Sequence, residues 1–261
     1  MGAVRDLLDV LASARGLRRR ERWDAEAIRV WQLDRLRDLA RFAREHSPFY
    51  RKLYSGIDLS GPFSPTDLPV VDKAAVMDHF DEVVTDPRLR LGEVRAFLGD
   101  EERAGCFAGE FRILSTAGTS GRRGLFVLGR EEWIAVMASM LRWQRLIGLG
   151  PRLGRRVRVA TVGAGNALHA SRLLPLGVNV GLYEFRFLSV TDPMDSIVAA
   201  LNDYQPDLLA PYASVAGLLA LEQVEGRLSI HPRIVVTHSE LLSDAVVRRV
   251  GAAWGIRPFN H

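Results

Sequence analysis

Cysteine is nearly absent. Cys106 is the only one in 261 residues, so the chain can hold no internal disulfide framework, and it suits a reducing compartment. The lone thiol reads as a small apolar filler in a strand or turn. Lysine is almost as scarce: Lys52 and Lys73 stand alone among 35 basic residues, and the rest are arginines interspersed with acids, for a net charge of +4. Two denser clusters occur, Arg15, Arg18, Arg19, Arg20 and Arg22, then Arg152, Arg155, Arg156 and Arg158. Neither carries the interleaved aromatics of a stacking platform, so both read as solvated faces and no nucleic-acid partner is expected. Long apolar runs are missing too. The longest, Leu208 to Leu221, is broken by Pro211 and is too short to cross a bilayer. Arg5, Asp6 and Asp9 interrupt the first apolar stretch, so no signal peptide is expected. No membrane partner is expected, and the expected location is the cytoplasm. There is no repeat and no low-complexity tract.

What remains is ordinary globular material, 48% hydrophobic and 25% charged, enough for one sizeable domain or two small ones. The first half reads as mostly helical. Asp24 is placed to cap a helix whose apolar side is Ile28, Trp31, Leu36, Leu39 and Phe42, and His46-Ser47-Pro48 ends it. A short element covers Phe49 to Tyr54, a proline-rich connection runs from Ser55 to Pro69, and Asp72 caps a helix from Lys73 to Phe80.

Beyond Leu98 the pattern changes. Phe111 to Leu114 and Leu125 to Leu128 read as strands, and Arg130 to Ile147 reads as a helix with Trp133, Val136, Met137, Met140, Leu141 and Trp143 inward. Strands are then predicted at Val157–Val162, Val178–Phe185, Asp207–Ala210, Arg233–Thr237 and Ile256–Phe259. Helices are predicted at Leu168–Leu174, Met194–Tyr204, Ala213–Val224 and, capped by Ser243, Asp244–Trp254, with Gly226 and Gly255 closing the last two. This alternation gives an α/β fold, a helical N-terminal region followed by a mostly parallel αβ-layered sheet covered on both faces. The chain stops at His261 with no room for another helix. That fits an edge strand, and it fits equally a piece of something longer.

The run Ser115-Thr116-Ala117-Gly118-Thr119-Ser120-Gly121-Arg122-Arg123-Gly124 lies between two predicted strands. Its glycines let a backbone approach a ligand closely, successive amides form an anion cradle, and two arginines add charge suited to phosphate. It is not a Walker A loop, which leads directly into a helix. By composition alone it fits a surface hairpin as well as a phosphate clamp. Nor is it a hydrolase nucleophile elbow, because the serine spacing is wrong and the run joins strands. The histidines have no metal-ligand spacing, and no metal-ligating residue is assigned. Two further stretches come directly after predicted strands, at the ends where open α/β sheets bind ligands. One is Gly163-Ala164-Gly165-Asn166-Ala167-Leu168-His169, where His169 also fits a plain helix start. The other is Thr237-His238-Ser239-Glu240, where Ser239 and Glu240 also fit caps for the helix leading to Trp254.

The Gly-rich run resembles the phosphate-binding loop of adenylate-forming enzymes. More specifically, the chain resembles their phenylacetate–CoA ligase branch, which also includes capsule-biosynthesis and coenzyme-synthetase homologues. The similarity is carried as well by Ala43-Arg44-Glu45-His46-Ser47-Pro48-Phe49-Tyr50-Arg51, Asp67-Leu68-Pro69-Val70-Val71-Asp72-Lys73 and Phe126-Val127-Leu128-Gly129-Arg130-Glu131-Glu132-Trp133, in the same order. The resemblance implies that Ser115, Thr116, Gly118, Thr119, Ser120, Gly121 and Arg122 hold ATP phosphates, with Arg122 in place of a lysine. It implies that Ser239 and Glu240 lie along the adenine and that His169 lies near the substrate carboxylate. Ala117 and Arg123 depart from the family pattern, where a serine and a proline stand.

The implied activity is AMP-forming activation of a carboxylic acid, through an acyl-adenylate to a thioester, with ATP, Mg²⁺ and coenzyme A. Residues 1–98 would be the helical N-terminal region and 99–261 the nucleotide-binding α/β part. The magnesium-binding glutamate, the remaining C-terminal part and the mobile lid domain of such enzymes would come after Asn260-His261, so the 261-residue chain is expected to turn over poorly. The other expectation is a non-catalytic nucleotide-binding or interaction module on the same scaffold.

Overall fold

The computed structural model describes residues 2–61, 63–99, 106–115, 124–150, 155–163 and 182–260, with side chains from Arg5 onward. Its contacts divide the chain into two compact units, Met1–Ala135 and Val136–His261.

In the first unit, helix α1 (Gly2–Arg20) precedes α2 (Ala25–His46). Asp24 caps α2 as expected, accepting the Ala27 amide at 2.7 Å. Ser47, extended before Pro48, ends α2 and caps α3 (Pro48–Leu53). The Ser47 hydroxyl also donates to the Glu82 carbonyl at 2.7 Å, so this fully buried serine ties the helix junction to a later turn. A single 3-10 turn, Pro65–Asp67, interrupts the connection, held by a reciprocal Ser64–Asp67 capping box.

The helix expected from Lys73 to Phe80 is shorter. Asp72 caps α4 (Lys73–Asp78), the backbone leaves helical geometry at His79, and α5 (Phe80–Val83) begins anew. The break lets Phe80 share one cluster with Met77, Leu89, Val94, Phe111, Ile113 and Leu125. Helix α6 (Leu91–Gly99) contributes Val94. Strands β1 (Arg112–Ser115) and β2 (Leu125–Leu128) pair antiparallel, with Ser115 opposite Leu125 as the last pair. Helix α7 (Arg130–Leu146) carries Glu131 and Glu132 in its first turn, favourable at the positive end of its dipole. Its Arg130 reaches Asp6 (2.9 Å) and Asp9 (2.6 Å) of α1.

The second unit holds a parallel sheet in the order β4-β3-β5-β6-β7. The strands are β3 (Val157–Gly163), β4 (Tyr183–Ser189), β5 (Leu208–Pro211), β6 (Ile234–Thr237) and β7 (Phe259–Asn260). Successive strand residues face opposite sides, and the core divides accordingly. Ala160, Val162, Leu209 and Val235 pack with α8 (Met194–Tyr204), α9 (Ala213–Val224) and α10 (Asp244–Trp254). Val157, Val159, Leu208, Ile234 and Val236 pack on the other face with Trp143, Ile147 and Leu149. Helices α9 and α10 approach closely at Gly217, where a Cβ would come within 3.3 Å of Val246.

Two strands differ from expectation. The strand expected at Val178–Phe185 is seen at Tyr183–Ser189, while residues 178–181 and the helix expected at Leu168–Leu174 lie outside the described residues. β4 alternates aromatic Tyr183, Phe185 and Phe187 with Glu184 and Arg186, and Arg186 pairs outward with Asp203 at 2.9 Å. Half-covered alternation of this kind continues past Arg186, where a purely apolar reading stops. The last strand begins only at Phe259, because Pro258 has no amide to donate to the ladder. Helix α8 ends on Gln205 in the left-handed region (φ 53°) without a glycine. Its side-chain amide donates to the Asn202 and Ser229 carbonyls at 2.7 and 2.9 Å, which holds the turn. No described helix is long and apolar enough to cross a membrane.

Candidate functional site

Because the five strands run parallel, their carboxyl ends share one edge. That edge carries Gly163, Ser189, Pro211, Thr237 and Asn260, and in open α/β sheets ligands gather there. Beyond Pro211 and Thr237 the chain adds one more parallel bridge, Tyr212 to His238. The two rings meet edge to face, 5.1 Å between centroids at 79°. Gly163 stands beside them: a Cβ there would lie 3.6 Å from Tyr212 and 3.7 Å from His238. Thr237, fully buried, donates to Asn260 Oδ1 at 2.9 Å and fastens β7 to β6.

The turn after β6 is held from both sides. His238 Nε2 lies 3.3 Å from the Ala210 carbonyl, which can only accept, so the proton sits on Nε2. In the neutral ring Nδ1 then accepts from the Ser239 hydroxyl, at 3.0 Å. Ser239 has φ 65°, a left-handed conformation that a residue with a Cβ adopts at a cost. The next residue anchors it: Glu240 Oε2 accepts the Ser214 amide at 2.7 Å. Ser214 lies in the first turn of α9, whose N-cap Tyr212 makes no side-chain capping bond. The Glu240 carboxylate therefore satisfies an open donor at a positive helix end.

This corrects the capping alternative for Ser239 and Glu240. Helix α10 is capped by Ser243, whose hydroxyl accepts the Val246 amide, and Glu240 caps α9 instead. Replacing Glu240 with alanine is expected to cost about 1 kcal/mol of stability, and with glutamine only a few tenths. Thermal melts of the two variants check this; equal losses would mean the oxygen on Ser214 contributes nothing.

Ser115 is the last residue of β1, buried and paired with Leu125, and so borders the Gly-rich run. Thr116, Gly118, Thr119, Ser120, Gly121, Arg122 and His169 lie outside the described residues. The β1–β2 pairing brings the two ends of that run together. Among the described residues no group of three or more His, Cys, Asp or Glu could hold a metal ion.

Sequence reasoning missed Tyr212, although the logic that picked out Gly163 and His238 applies to it equally. It also missed why the second arginine cluster exists. Arg155 pairs with buried Asp207, and the Arg158 guanidinium lies 6.0 Å over the Tyr204 ring. Burial, with Glu184 nearby, pushes the Tyr204 phenol up to about 12.

A scan against protein-family models finds no match, and a search of curated proteins finds none. Solved structures do resemble the chain. One of 2-hydroxyisobutyryl-CoA ligase, in complex with 2-HIB-AMP and CoA in the thioesterification state, aligns over 91% of this chain and 49% of its own. The TM-score is 0.62 and the sequence identity 21%. The same ligase in the postadenylation state with 2-HIB-AMP aligns over 87% and 46%, with TM-score 0.61 and 22% identity. An open conformation aligns over 87% and 51%, with TM-score 0.60 and 21% identity. The chain thus shares the fold of these ligases and spans about half their length.

Proposed function

We propose that the chain is the nucleotide-binding portion of an AMP-forming carboxylate–CoA ligase, of the phenylacetate–CoA ligase kind, with 1–98 as its helical lead-in and 99–261 as the nucleotide-binding part. The observation that carries the reading is the β1–β2 pairing. It closes a run of glycines, hydroxyls and arginines between Ser115 and Leu125, the arrangement a phosphate cradle built of amides needs. Thr116, Gly118, Thr119, Ser120, Gly121 and Arg122 take the ATP phosphates there, with Ser115 at the border, and a magnesium ion accompanies those phosphates.

The turn at Ser239 and Glu240 serves the adenine. Glu240 already holds the α9 amide, so its task is to fix the turn, and the Ser239 backbone and the neighbouring rings are what a planar base meets. His169 stays assigned to the acid's carboxylate. In the whole reaction that carboxylate attacks the ATP α-phosphorus, pyrophosphate leaves, and a coenzyme A thiol then takes the acyl group and releases AMP. The residues contribute positioning and charge stabilisation, with no covalent step of their own.

Calorimetry with Mg-ATP tests this. Binding is expected, and Gly121→Val should weaken it by about tenfold or more, because a branched side chain fills the space the phosphates approach. No heat with the unaltered chain would overturn the reading. Binding without acid-dependent exchange of pyrophosphate into ATP would favour the non-catalytic module.

A further inference from the structure

We infer that the outward face of α1 is a docking surface for an anionic lipid bilayer. The exposed residues of this helix fall on one stripe: Arg5, Leu8, Leu11, Arg15, Arg18 and Arg19, with Ala12 among them. At 100° per residue they cover well under half the circumference. The stripe contains no carboxylate. The helix's two acids, Asp6 and Asp9, lie off it and are both engaged by Arg130. Helix α2, by contrast, balances its charges along its length with the pairs Glu26–Arg29, Asp34–Arg37 and Arg35–Asp38.

The last-turn arginines also complement the negative end of the helix dipole. Arg5, in the first turn, faces the wrong end for that. Nor does the dipole give any reason for Leu8 to stand 61% exposed and Leu11 42%. Those leucines select the partner. A phosphate backbone offers nothing to bury them, and the stripe has no aromatic on which a base could stack. The boundary between lipid headgroups and acyl chains takes both from one stripe, the guanidinium groups at the headgroup phosphates and the leucines just beneath them. Such contact is peripheral and needs no spanning segment.

The test is co-sedimentation of the whole chain with vesicles at low salt. One set is phosphatidylcholine alone and the other contains about one-third phosphatidylserine. Sedimentation is expected with the anionic set only. Arg15→Gln/Arg18→Gln/Arg19→Gln should weaken it by roughly a hundredfold and Leu8→Ser/Leu11→Ser by roughly tenfold. Arg248→Gln/Arg249→Gln on α10 should leave it unchanged. Circular dichroism confirms that each variant is folded, and the single Arg15→Gln change serves if the triple one is not. No sedimentation with the anionic set, or equal sedimentation with both sets, would overturn the inference. So would an undiminished leucine variant together with equally tight binding of single-stranded RNA, which would mark a polyanion surface.

Discussion

Replacing Asp207 with alanine is expected to lower the unfolding free energy by about 3 kcal/mol. The side chain is buried at the start of β5. Its Oδ2 accepts the Arg158 amide at 3.0 Å and its Oδ1 the Arg155 guanidinium. Its backbone bonds Arg158 on one side and Arg233 on the other, each at 2.8 Å. One residue therefore joins the starts of β3, β5 and β6. Alanine leaves the Arg158 amide without its carboxylate acceptor. Arg155, itself part-exposed, can return to water, which holds the loss below that of a fully buried pair. Asparagine keeps an oxygen for the amide and is expected to cost about 1 kcal/mol. Denaturant unfolding of both variants checks the argument. A loss below about 1 kcal/mol for alanine would mean the carboxylate does not hold these strands together.

Most of the second unit could be read from its residues because both faces of a parallel sheet must be covered, and fully buried strands then appear as short apolar runs between capped helices. Val157 to Val162 and Ile234 to Thr237 are such runs, and Ser243 and Gly255 mark the ends of α10. The deviations have local causes. Alternation in β4 disguised its second half, Pro258 delayed β7, and the break at His79 stems from tertiary burial of Phe80, which no helical pattern records. Helix α6 escaped notice because it is short and its first amide is capped from a distance, by the Asp81 carboxylate at 2.7 Å.

The site was legible as a set of positions more than as a set of partners. Gly163, His238, Ser239 and Glu240 stand out in the sequence because each closes a strand or comes just after one, and in the fold all four sit at one edge. That Glu240 reaches back to α9, and that Tyr212 closes against His238, depend on strands β5 and β6 lying side by side. Strand order is a long-range fact that spacing along the chain does not encode. The role of Asp207 was hidden in the same way, since its partners are 49 and 52 positions distant.

Leu209→Ala is expected to cost about 3 kcal/mol, comparable to the loss of Asp207, through packing alone. Leu209 has no exposed surface and occupies the middle strand of the five described, opposite Ala160 of β3 and Val235 of β6. Its cluster includes Leu201 of α8, Leu219 of α9 and Val250 of α10. Three helices and two flanking strands hold the walls, so the space left by the lost carbons cannot collapse cheaply. Leu8→Ala on the exposed face of α1 should by comparison change stability by no more than about 0.5 kcal/mol. Guanidinium unfolding should show the Leu209 variant with a lower midpoint and an unchanged slope. A shift equivalent to less than about 1 kcal/mol would mean β5 is not seated where the core needs it. Strand β5 also leads into Tyr212 and the first turn of α9, where Ser214 meets Glu240. Loosening Leu209 should therefore speed amide exchange at Ser214 as well as in the strand, which ties the packing of the core to the geometry of the turn it carries.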